Sequence, residues 1–94
     1  MSFFKDGVND LTKKQTHYYV RIDTMVVTRS RYSKSYEEKR ALFLARDSIN
    51  SHQHFGTTMR ILIARLRELE MEQKEGLSPQ VKELFEDLKK DYDF

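Results

Sequence analysis

The sequence predicts a mainly α fold: a long central helix, a C-terminal helix folded back antiparallel to it, an N-terminal β-strand or hairpin, and assembly into an oligomer. Three observations carry this. Tyr36 to Glu75 is a forty-residue run without proline and with one glycine, rich in leucine, isoleucine, methionine and arginine. Glu75, Gly76, Leu77, Ser78 and Pro79 then stop that run and start another helix. Ahead of both, Thr16 to Arg31 concentrates β-branched residues.

Residues 1–15 read as an N-terminal arm. Phe3 and Phe4 are adjacent apolar side chains whose burial is worth ~1.5 to 3 kcal/mol each, so they are expected to dock on the helical body or on a neighbouring chain. Residues 16–31 favour a strand, because Thr16, Val20, Ile22, Thr24, Val26, Val27 and Thr28 suit a pleated surface. Tyr18, Val20, Ile22, Thr24 and Val26 would face a core, with Arg21, Asp23 and Arg29 outward. A helix is the competing reading, since Leu11, Tyr18, Ile22, Met25 and Tyr32 also fall at helical spacing and Asp10 could cap it. A turn at Asp23 and Thr24 would make the strand a hairpin; a lone strand would need a partner, such as its equivalent in a second subunit.

The core helix is placed at 35–75. Ser35 and Glu38 form a capping-box pattern, and Glu37 and Glu38 suit the positive end of the helix dipole. A heptad-like register runs through Leu42, Ala45, Ile49, His52, Gly56, Met59, Ile63 and Leu66, and the far half carries a stripe of Phe55, Met59, Leu62, Leu66 and Leu69. Burial of that stripe is worth on the order of 10 kcal/mol before chain entropy is subtracted. His52 and Gly56 are odd occupants of such a seam. The helix would break at 51–58, SHQHFGTT, with Thr57 or Thr58 capping a new helix; the unbroken register, the lack of proline and the lack of a capping box favour continuity instead. A continuous helix would be ~60 Å long and would require an oligomer; a broken one would allow a compact monomer. For the last helix, 78–91, Gly76 suits the left-handed end of the preceding helix, Ser78 the cap and Pro79 the first turn. Val81, Leu84, Phe85, Leu88 and Tyr92 give it one apolar face.

Ninety-four residues make one domain, 1–94, with a thin core. The chain has no cysteine, which removes disulfides, thiolate metal sites and cysteine nucleophiles. No stretch approaches the ~18 apolar residues of a membrane span and the start lacks a signal-peptide pattern, so a soluble cytoplasmic protein without membrane partners is expected. The net charge of +2 hides a segregation: residues 1–67 carry 13 Lys and Arg against 6 Asp and Glu, whereas 68–94 carry 4 against 9. Either the basic body meets phosphates or an acidic partner, or the acidic segment neutralises it within an oligomer.

The familiar phosphate-loop, dinucleotide, zinc-protease and serine-hydrolase motifs are all absent from the sequence, so no enzyme and no cofactor is expected. His52 and His54 lie about 200° apart on a helix and cannot share a metal there. Two constellations suit phosphate. Arg29, Arg31 and Lys34, interleaved with Tyr18, Tyr19 and Tyr32, could pair a nucleic-acid backbone while stacking bases; a solvated basic edge strand has the same composition. Thr57, Thr58 and Arg60, with Gly56 and His54, could cradle an anion at a helix N-terminus, but only if the long helix breaks. The leading expectation is a small regulatory protein, self-associating, that engages nucleic acid or a nucleotide through its basic half. The alternatives are an inhibitor or adaptor gripping another protein, and a structural assembly component.

Overall fold

The computed structural model describes residues 11–27 and 36–92, and over them every regular element is an α-helix. They are α1 (Lys13–Val27), α2 (Tyr36–Asn50), α3 (Phe55–Glu72) and α4 (Pro79–Tyr92).

The expected N-terminal strand or hairpin is therefore corrected: the segment through Val27 is α1. Helical spacing decides it. As a helix the segment buries Tyr18, Tyr19, Ile22 and Met25 and leaves Val20 46% exposed, whereas a strand would have turned Val20 and Thr24 inward at the expense of Tyr19 and Met25. A β-branched residue costs a helix at most ~0.7 kcal/mol, but each large apolar side chain buried contributes ~1.5 to 3, so packing overrides propensity. The start of α1 lies within the supposed arm. The Thr12 hydroxyl accepts from the Gln15 amide at 3.1 Å while the Gln15 side-chain carbonyl accepts from the Thr12 amide at 3.0 Å, a reciprocal capping box. Residues 28–31, Phe3 and Phe4, and the Ser35 cap lie outside the described residues.

The single long helix is also corrected, because α2 ends at Asn50 and α3 begins at Phe55. The stop is a left-handed turn on His52 (φ 64°), where the His52 amide donates to Ile49 at 3.1 Å and the Gln53 amide to Ser48 at 3.0 Å. This is the Schellman arrangement, with histidine where glycine is usual. The restart uses His54 as N-cap, its ring Nδ1 accepting from the Thr57 amide at 3.1 Å. Neither Thr57 nor Thr58 is the cap. Chain reversal here removes the ~60 Å rod; the longest dimension of the molecule is 44 Å.

Ion pairs and lining contacts give each helix its direction. Tyr19 donates to Asn50 and Arg46 pairs with Asp23, setting α1 antiparallel to α2; Glu37 pairs with Arg65, setting α2 antiparallel to α3. Lys82 with Glu70 links α3 to α4, and Lys14 with Asp91 and Arg21 with Asp87 link α4 back to α1. Over the described residues the result is an up-down-up-down four-helix bundle. Its core holds the α3 stripe from Phe55 to Leu69 and the α4 face of Val81, Leu84, Phe85 and Leu88, as their spacing predicts. The radius of gyration, 12.7 Å, matches the value of about 12 to 13 Å for a compact domain of this length, so helix length no longer demands an oligomer.

Acidic α4 thus neutralises part of basic α1 inside a single copy. A second polar device ties the ends of three helices together. Glu38, 1% exposed, accepts from the Ser78 amide at 3.2 Å and from Gln73 Nε2 at 2.8 Å, while Gln73 Nε2 also donates to the Gly76 carbonyl at 2.7 Å. Gly76 has the left-handed backbone (φ 72°) expected of it, and α4 starts at Pro79.

Candidate functional site

Leu44 and Ile61 are surplus to the core. They sit beside the buried stripes of α2 and α3 rather than in them, 51% and 66% exposed, and form the walls of a groove of about 250 Å³ between the two helices. Ala41, Ala45 and Leu62 make its floor, and the small alanines are what lets the depression form. At one end Arg40, Glu37 and Arg65 stand over it; at the other are Ser48 and Thr58. Arg65 is held across that first end, donating to Glu37 at 3.1 Å and to Glu68 at 3.2 Å. Arg40 is exposed and forms no ion pair among the described residues.

The groove is apolar along its walls and floor and polar at its two ends. Small-molecule sites usually enclose ~300 to 1,000 Å³ with several converging polar groups. This one is smaller, and its polar side chains stand at the two ends rather than converging over the alanine and leucine floor, which suits one or two apolar side chains of a partner. Among the described residues, no group of three His, Asp or Glu side chains could hold a metal. No described helix is long and apolar enough to cross a membrane.

The residues singled out for phosphate fall elsewhere. Arg29, Arg31, Tyr32 and Lys34 lie outside the described residues. Tyr18 is buried between α1 and α4, donating its hydroxyl to the Asp87 carbonyl at 3.2 Å and to Asp91, so it offers no face to a base. Burial and the Asp91 carboxylate raise the Tyr18 hydroxyl above its ordinary value, while Lys14 and Tyr18 hold Asp91 below the usual carboxylate range. This cluster is a structural clasp. His54, Thr57 and Thr58 do come together at the α3 N-terminus, but they satisfy one another: His54 Nδ1 takes the Thr57 amide and lies 3.1 Å from the Thr57 hydroxyl, and Thr58 donates its hydroxyl to the His54 carbonyl at 2.9 Å. The ring occupies the place an anion would take. Arg60 points from the exposed side of the same turn and is itself engaged.

Comparison with family models, curated proteins and solved structures returns no match. The groove residues escape a search for reactive side chains because none is reactive. The available signal was an excess: Leu44 and Ile61 are large apolar residues that no helical stripe requires.

Proposed function

We propose that this chain is a non-catalytic interaction module that binds protein surfaces through the α2–α3 face. The observation behind this is the pair of exposed apolar walls, Leu44 and Ile61, over a floor of small residues in an otherwise complete core. Exposed apolar side chains grouped over a depression and rimmed by charge mark contact surfaces, whereas isolated ones do not. Phosphate recognition receives no comparable support from the described residues, since Tyr18 is buried and the α3 N-terminus is capped by His54.

Peptide selection on the purified full chain tests this. Selected peptides are expected to carry apolar residues at helical spacing, and their binding is expected to fall at least about ten-fold with Ile61→Glu while Met71→Glu, on an exposed position away from the groove, leaves it unchanged. Peptides that bind Ile61→Glu as well as wild type would overturn the assignment. Tight binding of single-stranded DNA at ~50 mM salt, with log affinity falling steeply against log salt, would return phosphate recognition to the lead.

A further inference from the structure

We infer that the occupant of this face is a second copy of the same chain, paired antiparallel through α2; this rests on the α2–α3 face being an interaction surface and commits it to one partner. On the outward side of α2, Arg40, Phe43, Leu44 and Asp47 follow one another at helical spacing and share one stripe. Phe43 and Leu44, 47% and 51% exposed, form its centre. Arg40 and Asp47 flank them at equal distances on either side and carry opposite charge.

That order is self-complementary under a two-fold axis through the midpoint between Phe43 and Leu44. Antiparallel pairing about it sets Arg40 of each copy against Asp47 of the second copy, twice, with the apolar pair in the middle, as an isologous interface requires. Parallel pairing would instead place like charges together. Glu37, Glu38 and Arg46 of α2 are already used inside the bundle, Glu37 on Arg65, Glu38 on Ser78 and Gln73, and Arg46 on Asp23, while Lys39 lies off the stripe by helical spacing. Arg40 and Asp47 form no ion pair among the described residues.

The rest of the face fits the same axis. The Glu37–Arg65 pair at one end of the groove fixes the register of α2 on α3, with Ser48 and Thr58 both lining the other end, so that Ile61 is level with Leu44. The axis therefore passes beside Ile61 too, and the grooves of the two copies face each other with Leu44 and Ile61 closing over their equivalents. Phe43 is held for this contact, its ring 5.2 Å beneath the Arg46 guanidinium that α1 anchors through Asp23.

Sedimentation of the full chain over a range of concentrations, with charge exchange, decides the matter. Wild type is expected to dimerise. Arg40→Asp and Asp47→Arg singly set like charges together twice per dimer and are each expected to weaken dimerisation about ten-fold at low salt; the double exchange is expected to restore it. Leu44→Glu is expected to give a monomer whose helical circular dichroism is unchanged. A wild type that stays monomeric at about millimolar concentration, or single exchanges that weaken the dimer without rescue by the double, would overturn the pairing. In the first case peptide binding at Ile61 can still hold, so failure of the dimer and failure of the interaction surface give different results.

Discussion

Glu38 shows what a single buried carboxylate does in a core this thin. Its two oxygens take the Ser78 amide and the Gln73 side-chain amide, and the latter cannot turn over without abandoning the Gly76 carbonyl. Glu38→Gln would set its own NH2 group against one of these two donors, the Ser78 amide or the Gln73 NH2, in a buried place. Chemical denaturation is expected to show a loss of about 1 to 3 kcal/mol. Asp91 acts in the opposite setting, partly open to solvent, where Lys14 first and Tyr18 second depress its carboxyl. A depressed carboxyl stabilises the fold above its ordinary value of 3.8, and the contribution disappears as pH falls through the lower folded value. The urea midpoint of wild type is therefore expected to drop more steeply below about pH 4 than that of Asp91→Asn.

At the level of the helix, the α2–α3 turn has the most to teach. His52 takes a left-handed backbone that asparagine accepts and β-branched residues resist. His52→Val is expected to destabilise the bundle by about 1 to 2 kcal/mol relative to His52→Asn, as measured by thermal unfolding. Proline and glycine signals made Gly76, Ser78 and Pro79 plain in the sequence, and α4 begins where they place it. The same signals are missing at 51–54 because histidine takes both special positions, the left-handed residue and the N-cap, which are normally filled by glycine and by serine or aspartate. In α1 the difficulty was different. The β-branched residues were real, but Tyr19 and Met25 had to be buried as well, and only a period of 3.6 does that together with Tyr18 and Ile22. The Thr12–Gln15 capping box stood in the sequence as evidence for that helix.

For the molecule as a whole, the stripes from Phe55 to Leu69 and from Val81 to Leu88 identify the α3 and α4 share of the core from sequence alone, because regular spacing survives any rearrangement of the helices. The site does not share that advantage. Whether Leu44 and Ile61 face a core or a groove depends on where α2 turns into α3, and a continuous helix would have sent them to different surroundings. Charge segregation along the chain was equally ambiguous until α4 returned beside α1, where Lys14 and Arg21 meet Asp91 and Asp87. Basic charge that is paired in this way is not available to a phosphate.

The Glu38 clamp also links motions. Because one carboxylate accepts the Ser78 amide at the start of α4 and reaches it from the first turn of α2, lifting α4 from the bundle would break that bond and uncover the Gln73 bond beside it. The beginning of α2, the α3–α4 turn and the first turn of α4 are therefore expected to open together, although forty residues of chain separate Glu38 from Ser78, and amide hydrogen exchange of the three segments checks this. The Phe43–Leu44 stripe lies along from that clamp on the same helix, so what steadies α4 also keeps the exposed face of α2 in shape.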